Sequence, residues 1–155
     1  MPTDATLLAA LIRKAYRDVA KKFALTPTNC PTHPSNCQPE WIKKSVDKGI
    51  EYFVLENNRT PCGCVAMEQA GPDVCYLERL AVLPHYRQKG YGETLVKHGL
   101  TEAAKRNTSR VEIAIIAQHT ELKIWYEKLG FTAFHTRTFD HLPFDVTFMF
   151  INLSS

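Results

Sequence analysis

Apolar residues recur every three or four positions near the N-terminus, at Leu7, Leu8, Leu11, Ile12, Ala15, Tyr16, Val19 and Phe23. That spacing predicts an amphipathic helix over residues 5–24, with Lys14, Arg17, Lys21 and Lys22 on its solvated face. The next stretch, TPTNCPTHPSNCQP, holds four prolines in fourteen residues and reads as a structured loop. A short helix, Glu40–Lys48, follows and ends at Gly49.

The pattern then changes to strands. Glu51–Leu55 and Cys62–Gln69 form a hairpin around the polar ENNRTP, and Ala70-Gly71-Pro72-Asp73 turns the chain into a third strand, Val74–Leu83. On it a two-residue period puts Val74, Tyr76, Glu78, Leu80 and Val82 on one face. Glu78 is the odd member. A carboxylate among apolar groups is costly unless it is paired or used, so Glu78 lines a cavity or has a partner. Neighbouring Arg79 points to the opposite face, which leaves a surface salt bridge as the alternative to a catalytic or substrate-binding role. Glu93–Arg106 reads as a helix with Leu95, Val96, Gly99, Leu100, Ala103 and Ala104 inward, and the apolar Val111–Ala117 as a strand covered on both faces. Strand, helix, strand makes a parallel crossover. Thr120 is placed to cap a helix over Glu121–Leu129, which stops at Gly130. Phe131–Phe139 and Asp145–Asn152 close the chain as two strands around Asp140–Phe144. The expected architecture is α+β: a mixed sheet, antiparallel first and then parallel, flanked by about four helices.

At 155 residues the chain is expected to be a single domain, residues 1–155, burying roughly 70% of its unfolded surface. A net charge of +3 is too small to imply nucleic acid or a membrane as partner. The N-terminal segment threads charges through its apolar residues, so it is neither a signal peptide nor a membrane span, and a cytoplasmic location is expected. Five cysteines, an odd number, argue for reduced thiols. Cys30, His33 and Cys37 have ligand chemistry that suits zinc, yet no fourth ligand is evident unless folding brings Cys62 or Cys64 near. No metal is expected, and these side chains read as packing groups of the loop. No cysteine sits at a helix start beside a base, and no Ser-His-Asp or GxSxG arrangement occurs.

The chemistry concentrates in LERLAVLPHYRQKGYG, Leu77–Gly92. A strand breaks at Pro84, crosses a basic loop and enters a helix at Gly90-Tyr91-Gly92. That sequence of elements makes backbone N–H groups point at an anion, and the helix dipole favours negative charge there. Arg87 and Lys89 add positive charge at the same mouth. A phosphorylated ligand is expected, although the stretch has neither the GxGxxG of a dinucleotide fold nor the GKS/T ending of a P-loop.

Arg87-Gln88-Lys89-Gly90-Tyr91-Gly92, preceded by LAVLPHYR and followed by WYEKLGF some thirty residues on, resembles the Arg/Gln-x-x-Gly-x-Gly/Ala pyrophosphate motif of the GCN5-related N-acetyltransferases (GNAT). The order of elements is similar to that family's over nearly the whole chain, except that the family opens with a strand. Here that strand is either missing or reduced to Met1–Thr3.

The resemblance implies that the sheet splays beside Leu80–Leu83 and admits the pantetheine arm of acetyl-CoA, which pairs with the backbone at Leu80, Ala81 and Val82 as an added strand. It implies that amides of Gln88, Lys89, Gly90, Tyr91 and Gly92 hold the pyrophosphate, with Arg87 nearby. His119 stands where the family often has an Asn near the pantetheine, and Tyr126 where it has its general acid. On the residues alone, Trp125-Tyr126 reads rather as an aromatic pair packing a helix onto the sheet. An alkylamine, with a pKa of about 10.4, must lose a proton before it attacks, and Glu78 is the candidate base, directly or through water. His33, Tyr16, Phe139, His141 and Phe144 belong to segments that wall the acceptor side in this fold. The expectation is an N-acetyltransferase, monomer or homodimer, moving acetyl from acetyl-CoA to a small amine by direct attack. A non-catalytic acyl-CoA sensor, or an acyltransferase using a longer acyl group or an oxygen acceptor, are the alternatives.

Overall fold

The N-terminal stripe folds as helix α1, Ala5–Lys22, which buries Leu8, Ala9, Leu11, Ile12 and Ala15. Leu7, expected on the same face, is exposed, because the buried arc runs through its neighbour Leu8 instead. The computed structural model describes residues 5–153, so the expected remnant strand at Met1–Thr3 lies outside the described residues. Among the described residues no strand precedes α1. The proline-rich loop is held by local bonds: Thr26 and Asn29 bond each other's backbone N–H groups through their side chains. A short 3-10 turn, Pro34–Asn36, is capped by His33. Helix α2, Pro39–Asp47, starts one residue earlier than expected because proline is pre-set for a first helical turn.

Six strands follow the hairpin-and-crossover pattern: β1 Glu51–Asn57, β2 Thr60–Gln69, β3 Val74–Val82, β4 Arg110–Ile116, β5 Thr132–Thr138 and β6 Asp145–Asn152. Helix α3, Tyr91–Lys105, joins β3 to β4, and α4, Thr120–Lys128, joins β4 to β5. The sheet order is β1-β2-β3-β4-β6-β5, and only the β3/β4 pair is parallel. The first hairpin is tighter than ENNRTP suggested, since Asn58 and Arg59 alone turn the chain with φ of 52° and 67°. Two left-handed residues in succession match the twist of the flanking strands.

Two departures from simple alternation shape the centre of the sheet. Ala66 pairs with Glu78 and Cys64 with Ala81, so β3 carries one extra residue across that interval. Arg79 takes it up as a bulge at φ 51°. Glu78 therefore faces the same side as Ala81 and not, as the two-residue period suggested, the side of Val82. The second departure is the shortness of the parallel pairing, which runs only from Val74↔Arg110 to Tyr76↔Glu112. Beyond it β3 and β4 part. Val111, Ile113 and Ile115 still enter the core, but Ala114 is exposed, so β4 is not covered on both faces.

One face of the sheet packs on α3 and α4 through Val65, Met67, Leu77, Val96, Ile113 and Met149. Along α3, Leu95, Val96, Gly99 and Ala103 are buried while Ala104, expected inward, is exposed. The other face packs on α1 and α2 through Leu8, Leu11, Ile12, Ile42, Cys64 and Ala81. Thr120 does not cap α4; it lies inside the first turn, its hydroxyl donates to the Gln118 carbonyl, and His119 takes the cap position. All five cysteines are free and buried. Cys37 belongs to the α1/α2 cluster and Cys30 to a separate one with Leu25 and Ile116. Among the described residues no three His, Cys, Asp or Glu side chains are grouped to hold an ion, and no helix is long and apolar enough to cross a membrane.

Gly63 lets β2 lie against β3 just where the sheet opens. A Cβ there would stand 2.7 Å from the Ala81 carbonyl oxygen and 3.0 Å from Leu95 Cδ1. Gly63→Val is expected to lower unfolding stability by about 2–3 kcal/mol, read as a lower urea midpoint at unchanged slope.

Candidate active site

Where β3 and β4 separate, the structure holds a cavity of about 1080 Å³ between α1, the end of β3, the start of α3, β4, α4 and β6. Most of the residues singled out in the sequence meet there. Glu78, Leu80, Ala81 and Val82 line it from β3, and Arg87, Gln88, Gly90, Tyr91 and Gly92 from the turn that follows. His119 and Tyr126 line it from α4 and its cap, Tyr16 from α1, His33 from the proline-rich loop and Phe144 from the β5/β6 connection. Lys89, Phe139 and His141 are not brought into it. Lys89 lies over the Tyr86 ring, and Phe139 and His141 meet each other edge to face.

The turn before α3 has the geometry of an anion cradle. Gln88 and Gly90 both adopt left-handed backbone, φ 63° and 82°, and Gly90 caps α3 without a side chain. The amides of Gln88, Lys89, Gly90, Tyr91, Gly92 and Glu93 donate to no acceptor among the described residues. Six successive free N–H groups at a helix start are what a phosphate needs. Arg87, on the cavity wall, also ties the turn to its neighbours. Its Nε donates to the Val82 carbonyl at 3.1 Å, Nη1 pairs with Asp18 at 2.8 Å, and Nη2 donates to the Ala15 carbonyl. Asp18 offsets its charge, and the side chain ties the turn to α1 as a strut. The Leu80 carbonyl is likewise engaged, accepting from the Tyr16 hydroxyl at 2.7 Å. A chain added along β3 would use the backbone groups these bonds leave free.

Glu78 presents a buried oxygen, Oε2, that has no hydrogen-bond partner among the described residues. Burial, then hydrogen bonding with Glu68 and its charge, push the Glu78 carboxyl up to about 7, while Arg79 acts in the opposite sense. Tyr126 is 5% exposed, with Trp125 and Phe131 edge-on at centroid distances of 4.9 and 5.3 Å. Burial raises its phenol well above the ordinary tyrosine range, so it stays protonated. Tyr16 is raised in the same way, by burial first and by proximity to Tyr126 second. His119 rests against Phe23, and its buried Nδ1 is without a partner. Burial and then Lys22 lower its pKa, which keeps the ring neutral at physiological pH. Burial also lowers His33, whose Nδ1 accepts from the Ser35 amide at 3.2 Å.

Sequence reasoning missed Glu68, Tyr76, Glu112 and Phe148, which also line the cavity. Register was the signal for Glu68: opposite Tyr76 on β2, it falls on the face that carries Glu78.

Comparison with known proteins follows this geometry. A model of the acetyltransferase (GNAT) family matches residues 14–131. Among solved structures, the ribosomal-protein-S18-alanine N-acetyltransferase from Escherichia coli is 20% identical over 76% of this chain and 78% of its own, with a TM-score of 0.67. A GNAT family acetyltransferase from Elizabethkingia anophelis, solved with acetyl-CoA bound, is 17% identical over 75% of this chain and 84% of its own, also at 0.67. The ribosomal-protein-alanine N-acetyltransferase from Brucella melitensis is 19% identical over 97% of this chain and 94% of its own, at 0.70. These likenesses show a shared fold. No curated protein matches the sequence.

Proposed function

The chain belongs to the acetyltransferase (GNAT) family, and from that premise we propose that it is an acetyl-CoA-dependent N-acetyltransferase acting on a small amine. We propose further that residues 1–155 work as one catalytic domain, monomeric or homodimeric, in the cytoplasm. The observation that carries this reading is the run of six unpartnered amides, Gln88 to Glu93, at the mouth of the cleft between β3 and β4. Those amides hold the pyrophosphate, and the backbone groups of Leu80–Val82 that β2, Tyr16 and Arg87 leave free receive the pantetheine arm in the gap.

The chain's own residues then supply the chemistry. Glu78, as carboxylate, takes a proton from the acceptor ammonium, directly or through a water, and frees the nitrogen lone pair for attack on the thioester carbonyl. Tyr126, held protonated by burial, is the general acid: its hydroxyl donates to the sulfur as the carbon–sulfur bond breaks. A thiol ionises near pH 8.5, far below this phenol, so Tyr126 keeps its proton and donates a strong hydrogen bond to the departing thiolate, which takes up, directly or through water, the proton that the nitrogen sheds on becoming an amide. Tyr16, donating to Leu80, fixes the strand beside the arm. His119, neutral, faces the same channel near the pantetheine.

Release of coenzyme A from acetyl-CoA, measured with a panel of amines from pH 6 to 9, tests the reading. Glu78 is protonated and inactive as a base below its pKa of about 7, so kcat/KM is expected to rise with pH through that value. Glu78→Gln is expected to remove that limb and cost about twentyfold at neutral pH, water replacing part of the base. Binding of coenzyme A without turnover on any amine would make the protein a sensor, and preference for a longer acyl group or an alcohol would make it a different acyltransferase.

A further inference from the structure

We propose that Glu68 and Glu78 act as a hydrogen-bonded carboxyl pair, in which Glu68 sets the basicity with which Glu78 accepts the acceptor's proton. The proposal rests on the reading of Glu78 as the base. Glu68 itself acts through Glu78 and is a positioning residue.

The pairing follows from the sheet. Ala66 is opposite Glu78 and Glu68 opposite Tyr76, so the two glutamates are diagonal neighbours on one face, a separation that long side chains span. Both reach the cavity. Glu78 Oε2 is buried and finds no donor among the described residues, and an ionised Glu68 carboxylate, which only accepts, cannot supply one. One proton between the two carboxyls turns an acceptor–acceptor contact into a donor–acceptor bond. Nothing else nearby does so.

The charged side chains around the pair have other partners. On β3, Arg79 donates to the Tyr52 hydroxyl on β1 at 2.8 Å and lies over Trp41. On β4, Glu112 is paired with Arg110 at 2.8 Å. On α1, Tyr16 donates to the Leu80 carbonyl, and His33 in the loop bonds Ser35. Tyr76 on β3 and Tyr126 on α4 carry no positive charge. Among the described residues no lysine, arginine or histidine forms an ion pair with Glu68 or Glu78. A pair of carboxyls left to each other titrates as a unit, in two steps that belong to both.

The consequence for the reaction is a proton balance. With both carboxyls ionised, Glu78 takes one proton from the acceptor: an N–H bond breaks, an O–H bond forms, and the ammonium becomes an amine. The new carboxylic acid donates to the Glu68 carboxylate, which stabilises it. The cost of two adjacent negative charges is relieved in the same step, so Glu78 is a stronger base than an isolated glutamate.

Nuclear magnetic resonance of the free protein, following isotope-labelled glutamate side-chain carboxyls against pH, separates this pairing from catalysis. Glu78→Gln assigns the signals. In the wild type the Glu78 carboxyl is expected to titrate near 7. Glu68→Gln, which keeps shape and adds an amide donor, is expected to move the Glu78 midpoint down by about one pH unit or more. The acid limb of kcat/KM is expected to move by the same amount, with a several-fold lower plateau. An unchanged Glu78 midpoint in Glu68→Gln would overturn the pair. A moved midpoint with an unmoved rate limb would instead overturn Glu78 as base, and with it the role given to Glu68.

Discussion

Tyr126→Phe is expected to lower kcat for acetyl transfer about 200-fold and to leave the dissociation constant for acetyl-CoA within about twofold of wild type. The substitution removes one oxygen from a ring whose packing against Trp125 and Phe131 is unaltered, so the helix and the cleft wall stay in place. What is lost is a donor needed only as the sulfur departs, and an interaction made only in the transition state appears in kcat and not in binding. Burial keeps the phenol protonated, so the wild-type contribution of Tyr126 should not fade anywhere between pH 6 and 9. Stopped-flow turnover alongside calorimetric titration of acetyl-CoA checks both halves. Normal turnover in the variant would leave Tyr126 as a packing residue.

Gly90→Asn is expected to weaken coenzyme A binding only a few-fold, and Gly90→Asp to weaken it about 100-fold further. Gly90 has left-handed backbone at φ 82°, and a Cβ added there would meet nothing within 4 Å. Asp and Asn both tolerate that conformation and both cap helices well, so each variant should fold. They differ by one charge. A carboxylate about 6 Å from a pyrophosphate costs about 2.8 kcal/mol at an effective dielectric constant of about 20, which is the hundredfold difference. The comparison isolates electrostatics from strain, and equal losses in the two variants would show that the turn does not face phosphate.

Local pattern carried the elements and their order. The stripe of α1, the breaks at Pro84 and Gly49, and the alternation in Asp145–Asn152 each depend on residues close in sequence, and the structure follows them to within a few positions. The motif at Arg87–Gly92 was legible for the same reason, because an anion cradle is a local device. What was not legible depends on partners far along the chain. Glu78 was recognised as a costly carboxylate, but the bulge at Arg79 that decides its face arises from pairing with β2. Glu68 passed unnoticed because its significance comes only from lying diagonal to Glu78 across that pairing. The bond of Arg87 to Asp18, sixty-nine residues earlier, was not legible for the same reason. Phe139 and His141 were placed by their segments and do not line the cleft, and Lys89 enters the cradle only through its amide.

Whether the turn before α3 grips a pyrophosphate is read by titrating coenzyme A into labelled protein and following the backbone amide resonances. Saturable shifts concentrated at Gln88 through Glu93, and extending along Leu80–Val82, are the predicted result. Binding that leaves those amides unmoved, or no binding at all, would contradict the account.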